Sequence, residues 1–384
     1  MKYKGQIYSK LPKVGTTIFS IMSNLANKHN AINLSQGFPD FNCDNILIDA
    51  INKYMKKGYN QYAPMIGVKE LREKIVEKTE YLYSISYHPE KEITITAGAT
   101  QALYTAITTF VKEGDEVVVF EPAYDAYVPV IELCGGIPIY VSLKSPDFSF
   151  DWDRIKKVIN QRTKMIIINS PHNPTGSIIK EADLKMLDKL TKDTNIIILS
   201  DEVYEHIIFD NNPHESILKY KSLAERSFVI SSFGKTYHTT GLKMGYCLAP
   251  ENLMNEFRKV HQFAVYAVNT PIQYAYSEIL DKKEMYLELN AFYQEKRDFF
   301  INLIKGSKFK IKPAKGTYFQ LLDYSNISKE NEVSFANKLT IEHGVAAIPV
   351  SVFYHDAVEN NVLRFCFAKS NETLEKAAEK LHKI

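Results

Sequence analysis

Between residues 91 and 250, seven short apolar runs alternate with segments of helical periodicity. The runs read EITITAG, EVVVFEP, IPIYVSL, KMIIINSP, NIIILSDE, SFVISSF and KMGYCLAP. Several are apolar at consecutive positions, which is typical of strands covered by helices on both faces. Between the first two runs, Ala99, Leu103, Ala106 and Phe110 recur at helical spacing. We therefore predict an α/β fold with a mostly parallel central sheet and flanking helices.

The remainder of the chain has a different pattern. It is helical from Pro250 to about residue 306, and the strand-like segments FKIKPAKGTYFQLLDY, GVAAIPV and NVLRFCFA follow, mixed with helical segments. A chain of 384 residues is longer than a typical single domain with one hydrophobic core. We predict a large domain over residues 46–285 and a smaller α+β domain built from residues 1–45 and 286–384. Because no Gly/Ser-rich linker separates them, we expect the two domains to pack together.

Composition excludes several classes of protein. The charge sum of 47 − 45 = +2 indicates no strong field for nucleic acid or an anionic membrane. The four cysteines lie far apart without a CxxC motif, which argues against a disulfide framework or a structural metal site. There is no run of eighteen apolar residues and no apolar core of a signal peptide near the N-terminus. We expect a cytoplasmic protein without a metal.

Polar and ionisable residues follow several of the predicted strands. They occur in the segments AGAT (97–100), EPAY (121–124), NSPHNPTG (169–176), SDEVY (200–204) and FGKT (233–236). In open parallel sheets, ligands bind beyond the carboxyl ends of the strands. Taken singly, each segment has a plain structural interpretation, such as a turn, a helix cap, a core tyrosine or a solvated lysine. Their convergence at one edge of the sheet is what predicts a site.

Two nucleotide-binding interpretations fail. Gly234-Lys235-Thr236 imitates the end of a P-loop, but the first glycine of that motif would stand at position 229, which is Val229. No GxGxxG follows a predicted strand, so a dinucleotide-binding dehydrogenase lacks its main motif.

Pyridoxal 5′-phosphate (PLP) matches the residue types at this edge. A lysine amine forms a Schiff base with its aldehyde, and a carboxylate keeps the pyridine nitrogen protonated so that the ring withdraws electrons. The amides of a helix start hold a phosphate, and an aromatic side chain covers the ring. Lys235, Asp201, the segment 97–100 and the tyrosines of segments 121–124 and 200–204 supply these groups.

Longer motifs carry a family resemblance. SFGKTYHTTGLKMGY (232–246), SPHNPTG (170–176) and SDEVYEHIIF (200–209) resemble the class I aminotransferases of the fold-type I PLP enzymes. INLSQGFPDF (32–41), NQYAPMIG (60–67), ITAGATQAL (95–103), VFEPAYDAY (119–127) and LRFCFAK (363–369) are similar to the methionine and kynurenine aminotransferase (glutamine transaminase K) branch. The resemblance extends over nearly the whole chain in order.

The resemblance implies a role for each matching residue. Lys235 would bind the cofactor as a Schiff base and carry the proton between the substrate Cα and C4′ of the cofactor. Asp201 would face the pyridine nitrogen, Tyr204 and Asn173 the 3-oxygen, and Tyr124 the face of the ring.

The remaining assignments concern the two anionic groups. By the same resemblance, the cofactor phosphate would be held by Gly98, Ala99, Thr100, Ser232, Lys243 and, from the partner subunit, Tyr62. The substrate α-carboxylate would be bound by Arg364, with Asn173 and Gly37 assisting. Arg364 also stands out without the resemblance, because it is one of seven arginines and lies inside the apolar run VLRFCF. A buried guanidinium requires an anion, and its fork matches a carboxylate.

We therefore predict a homodimeric PLP-dependent aminotransferase with its site at the subunit interface. It would move the amino group of methionine or an aromatic or apolar L-amino acid to a 2-oxo acid. A cysteine-S-conjugate β-lyase on the same scaffold and a non-catalytic PLP-binding regulator remain as alternatives. The sequence departs from the branch at Leu242, where a tryptophan is usual, and this change puts the substrate preference in doubt.

Overall fold

The computed structural model describes residues 1, 3–358 and 360–384. The strands are β1 (Ile32–Asn33), β2 (Ile93–Thr96), β3 (Glu116–Glu121), β4 (Ile137–Ser142), β5 (Thr163–Asn169), β6 (Ile197–Asp201), β7 (Ser227–Ser232), β8 (Gly245–Leu248), β9 (Lys310–Ile311), β10 (Phe319–Asp323), β11 (Val345–Ala346), β12 (Ile348–Pro349) and β13 (Val362–Cys366).

The α-helices are α1 (Ile18–Lys28), α2 (Asn45–Lys56), α3 (Lys69–Tyr83), α4 (Ala99–Phe110), α5 (Tyr127–Leu133), α6 (Trp152–Val158), α7 (Glu181–Thr191), α8 (Lys221–Ala224), α9 (Phe233–Thr236), α10 (Glu251–Ala264), α11 (Thr270–Ile279), α12 (Glu284–Leu287), α13 (Leu289–Ile304), α14 (Glu332–Glu342) and α15 (Asn371–Leu381). Short 3-10 helices occupy Ile217–Lys219, Thr240–Leu242 and Ser351–Phe353.

A seven-stranded sheet forms the centre of the molecule, and each of the seven apolar runs supplies one of its strands. The order is β2-β8-β7-β6-β5-β3-β4, and only β8 runs antiparallel to its neighbours. Successive residues of β5, such as Ile166 and Ile167, enter apolar clusters on opposite faces of the sheet. Burial on both faces explains the continuous apolar runs, and the predicted fold class is confirmed.

The chain beyond residue 300 builds a second, antiparallel sheet of order β12-β13-β10-β9. The N-terminal segment joins this part of the molecule, because β1 pairs with β11 in parallel. A separate apolar cluster that includes Phe300, Phe365 and Leu374 lies beneath these elements. The boundaries of 46–285 for one domain and 1–45 plus 286–384 for the other stay a prediction.

Within the part of the chain that the structure describes, no helix combines the length and the apolar character needed to cross a membrane.

Candidate active site

A cavity of about 190 Å³ lies at the carboxyl ends of the parallel strands. Its lining includes ten of the residues selected from the sequence: Gly98, Ala99, Thr100, Tyr124, Asn173, Asp201, Tyr204, Ser232, Lys235 and Lys243. These residues end or follow five different strands, and the topology of a parallel sheet brings the strand ends together.

One end of the cavity is suited to an anion. Helix α4 begins there, and Gly98 precedes it with φ of +76°, a conformation that favours glycine. Gly245 allows the close approach of this turn, because a Cβ on Gly245 would lie 2.7 Å from the Ser231 carbonyl oxygen and 3.1 Å from the Ala99 nitrogen. The free amides and the positive end of the helix dipole, together with the ammonium of Lys243, make this end fit a phosphate.

Asp201 lines the cavity at the end of β6, and only 4% of it is exposed. Its Oδ2 accepts a hydrogen bond of 2.7 Å from the Tyr127 hydroxyl, and its Oδ1 accepts a longer bond of 3.3 Å from the Val203 amide. Burial raises the pKa of this carboxyl from 3.8 to about 6, against the opposing effect of the Tyr127 bond. Because burial destabilises the ionised carboxylate, a cationic partner would stabilise it.

The Lys235 amine lies on the short helix α9, which follows β7 directly. It donates to the Tyr318 hydroxyl at 2.8 Å and to the Gly37 carbonyl at 3.1 Å. Burial lowers the pKa of this amine from 10.5 to about 8. The neutral, nucleophilic form is therefore accessible near neutral pH.

Arg364 lies in the middle of β13 in the second sheet and is 1% exposed. Its guanidinium donates to Asn173 Oδ1 at 2.7 Å and to the Ser35 carbonyl at 3.1 Å, while its buried Nε has no hydrogen-bond partner among the described residues. The guanidinium carbon stands 3.9 Å from the centre of the Phe319 ring. Among the described residues, no carboxylate forms a salt bridge with this cation, although the Asp125 carboxylate interacts with it electrostatically. An anionic ligand would satisfy it.

The two cavity tyrosines differ in their surroundings. Tyr204 is 3% exposed, and burial raises the pKa of its hydroxyl far above the usual value. Tyr124 is partly buried, and burial raises the pKa of its hydroxyl as well. Its ring meets that of Tyr127 edge-on, with 5.6 Å between the centroids. Both phenols are therefore neutral hydrogen-bonding groups at physiological pH.

Three of the sequence-selected residues do not line the cavity. Gly37 and Arg364 are joined to it through their hydrogen bonds with Lys235 and Asn173. Tyr62, in contrast, lies on the surface with 85% of its area exposed. Its ring packs edge-on against that of Tyr266 at 5.5 Å.

Sequence reasoning missed three polar residues that contact the selected ones. Tyr127 donates to Asp201, and Tyr318 contacts Lys235. Asn169 joins two strand ends, because its Nδ2 donates to the Asp201 carbonyl at 2.9 Å and its Oδ1 accepts from the Asn173 amide at 2.8 Å. Two of these residues lie in motifs already singled out, because Asn169 begins the segment NSPHNPTG (169–176) and Tyr127 ends the motif VFEPAYDAY (119–127).

Among the residues that the structure describes, no group of three or more His, Cys, Asp or Glu side chains could hold a metal ion.

Comparison with known proteins gives consistent matches over nearly the whole chain. The family model "Aminotransferase class I and II" matches residues 29–381. The methionine aminotransferase of Escherichia coli (strain K12) is 48% identical over 377 residues, which covers 98% of each chain. A kynurenine–oxoglutarate transaminase of Dictyostelium discoideum is 32% identical over 424 residues, covering 100% of this chain and 98% of the relative.

Solved structures agree with these matches. The structure of YbdL from Escherichia coli, described as having a methionine aminotransferase function, superimposes with a TM-score of 0.97 at 48% identity. The match covers 99% of this chain and 100% of the other. An N-succinyldiaminopimelate aminotransferase from Mycobacterium tuberculosis gives a TM-score of 0.95 at 34% identity, covering 98% and 100% of the two chains.

Proposed function

The chain belongs to the class I and II aminotransferases and is a transaminase, as its motifs predicted, and from this we propose its cofactor, substrates and assembly. The proposed cofactor is PLP, and the proposed amino donor is methionine or an aromatic or apolar L-amino acid, with a 2-oxo acid as acceptor. Neither a β-lyase nor a non-catalytic regulator is supported by the comparisons.

One observation carries the cofactor proposal. A buried carboxylate, a lysine amine of lowered pKa and the start of a twelve-residue helix line the same cavity. A phosphate requires the helix start, a protonated pyridine requires the carboxylate, and an aldehyde requires the amine. The residues present therefore fit PLP in charge and in donor type.

The proposed contacts follow from the position of each group. The α4 amides of Ala99 and Thr100, with Gly98, Ser232 and Lys243, would bind the phosphate. Asp201 would accept the pyridine N–H, Tyr204 and Asn173 would contact the 3-oxygen, and the ring of Tyr124 would cover the cofactor. When bound, the cofactor supplies an aldehyde that condenses with amines and a ring that withdraws electrons from the substrate Cα.

The protein's own residues would then control two protons. Lys235 would take the proton from the substrate Cα, for which an amine with a pKa of about 8 is well suited near neutral pH. Asp201 would hold the proton on the pyridine nitrogen, since its Oδ1 has only one weak bond from the chain itself.

The surroundings of Arg364 support the substrate class. Its fork would bind the α-carboxylate in two-point fashion. The rings of Phe319, Phe19 and Phe353 stand 3.9, 5.2 and 5.8 Å from the guanidinium carbon. An apolar donor side chain beside these rings would lose no hydrogen bonds and would bury apolar surface. The names of the methionine and kynurenine relatives point to donors of the same kind.

We propose a homodimer in which Tyr62 completes the partner's site. Tyr62 is exposed together with Phe263 at 87% and Tyr266 at 52%, an apolar surface that a second copy would cover. Its hydroxyl would then reach the phosphate of the partner's cofactor. We also propose a cytoplasmic location, because all four cysteines are unpaired and therefore suit a reducing compartment.

Half-reaction spectroscopy against the twenty common amino acids tests the proposal. The protein loaded with PLP should show the absorbance band of a lysine-bound cofactor, and methionine and aromatic donors should bleach it fastest. Borohydride reduction should attach the cofactor to Lys235. A protein that binds no PLP, or one that is bleached equally by acidic and apolar donors, would refute the cofactor or the substrate class, respectively.

A further inference from the structure

The Lys235 amine contacts two groups that lie outside the seven-stranded sheet. It donates to the Tyr318 hydroxyl at 2.8 Å and to the Gly37 carbonyl at 3.1 Å. The Tyr318 hydroxyl donates in turn to the same Gly37 carbonyl at 2.5 Å. The three groups therefore form a closed triangle of hydrogen bonds around the amine.

Tyr318 is held rigidly. It is 0% exposed and immediately precedes β10. The amides of Lys315 and Gly316 both donate to the Gly176 carbonyl, at 2.9 and 3.0 Å, and the Thr317 amide donates to the Ile207 carbonyl at 2.9 Å. These bonds tie the segment before Tyr318 to loops at the edge of the large sheet. The carbonyl of Tyr318 accepts a bond of 3.0 Å from the amide of Phe367, the residue that follows β13.

The local sequence permits this placement. A Cβ on Gly316 would lie 2.7 Å from Pro171 Cβ and 2.9 Å from the Ile207 carbonyl oxygen, so only glycine allows the segment to pass at this point. The position of the phenol is therefore determined by the backbone on both sides, and its oxygen is a fixed point next to the cavity.

Lys235, in contrast, has a flexible side chain with four methylene groups. A phenol has one proton, and the Tyr318 hydroxyl donates to the Gly37 carbonyl and also interacts with the hydroxyl of Tyr204. The Tyr318 oxygen therefore presents lone pairs to the amine, and the Gly37 carbonyl accepts from both the phenol and the amine.

We propose that Tyr318 is a positioning residue that holds the free Lys235 amine at one place beside the cofactor cavity. The proposal rests on the proposed function, because an amine that forms and releases a covalent bond needs a defined position while it is free. Misplacement of such a group by about 1 Å can cost on the order of a hundredfold in rate.

The chain offers a matched control at Tyr293. This residue is also 0% exposed, and its ring centroid lies 5.6 Å from that of Tyr318. Its hydroxyl, however, has no hydrogen-bond partner among the described residues. Tyr293→Phe and Tyr318→Phe thus remove the same atom from neighbouring buried rings, and only Tyr318→Phe removes a contact with Lys235.

The test uses the cofactor-free protein and pyridoxal, which lacks the phosphate and therefore reports on the amine alone. Capture of pyridoxal by Lys235 is trapped with borohydride and followed by mass spectrometry from pH 6 to 10. For Tyr318→Phe we expect the plateau rate at high pH to fall by about tenfold to a hundredfold. We also expect the midpoint, near 8 in the wild-type protein, to move to lower pH, because the ammonium form loses an acceptor. Tyr293→Phe should match the wild-type protein in both quantities.

The outcomes separate the hypotheses. If Tyr318→Phe equals Tyr293→Phe in rate and midpoint, Tyr318 does not position the amine, even if the variant melts at a lower temperature. If the wild-type protein fails to capture pyridoxal or PLP at Lys235, the proposed function itself is wrong. Affinity for PLP in the Lys235→Ala background should be the same with Tyr or Phe at position 318, since the phosphate contacts lie at the other end of the cavity; a loss of affinity there would overturn the assignment to the amine.

Discussion

Replacing Asp201 with asparagine should increase the stability of the cofactor-free protein while removing most of its activity. The carboxyl is 4% exposed, and burial raises its pKa from 3.8 to about 6. A pKa unit corresponds to about 1.4 kcal/mol, so the ionised carboxylate costs the folded protein about 3 kcal/mol. Asparagine keeps the shape, and its Oδ1 can take the place of the Asp201 oxygen that accepts from Tyr127, at the loss of the longer bond from the Val203 amide.

The sign of the pH dependence follows from the raised pKa. The folded protein binds this proton more tightly than the unfolded chain, so the contribution of Asp201 to stability is present at low pH. It is lost as the pH rises from about 4 through about 6. The asparagine variant should not show this decrease in stability with rising pH. At pH 7.5 its free energy of unfolding should exceed that of the wild-type protein by up to about 3 kcal/mol.

The cofactor should reduce or reverse the difference in stability between the wild-type protein and Asp201→Asn. A protonated pyridine beside Asp201 offsets the cost of its charge, so PLP should raise the melting temperature of the wild-type protein more than that of Asp201→Asn. Transamination by the variant should fall about a hundredfold or more, since one preorganised charge is removed. Thermal melts from pH 5 to 8, with and without PLP, and half-reaction rates measure these effects. Equal pH dependence in the two cofactor-free proteins, or wild-type rates in the variant, would mean that Asp201 serves only as a structural cap.

Three further substitutions test the other assignments. Lys235→Ala should fold and still bind PLP non-covalently, whereas transamination falls by several orders of magnitude. If borohydride labelled Lys243 instead of Lys235 in the native protein, this assignment would be contradicted. Arg364→Lys keeps the charge and loses the fork, so kcat/KM should fall for every donor by a factor that corresponds to roughly 2–4 kcal/mol of transition-state stabilisation, while the Kd for PLP hardly changes. A loss confined to one donor would place Arg364 at the donor's side chain instead. Tyr62→Phe should weaken PLP retention and leave the ranking of donors intact. Mixing Lys235→Ala with Tyr62→Phe subunits should restore one intact site per heterodimer. If the mixture retains PLP only as well as the average of the two variant homodimers, Tyr62 acts within its own subunit.

The sequence alone was sufficient to determine the architecture and most of the cavity. Runs such as IIIN and IILSD are typical of strands buried on both faces, because they are short, contain consecutive isoleucines and lie between helical segments. Once those strands are parallel, their carboxyl ends meet, and the polar residues that follow them must share one edge. That reasoning brings Asp201, Lys235 and the start of α4 together without any knowledge of side-chain contacts.

The partners of these residues were decided only by the tertiary structure. Tyr127 lies 74 residues from Asp201, Tyr318 lies 83 residues from Lys235, and Arg364 lies 191 residues from Asn173. No periodicity relates such positions, because the contacts depend on how α5, the second sheet and the N-terminal segment pack against the edge of the large sheet. The same packing sets the burial that raises the pKa of Asp201 and lowers that of Lys235. Residue types therefore specified the available chemistry, whereas the protonation states and orientations arise from desolvation and long-range packing, which a linear pattern does not contain.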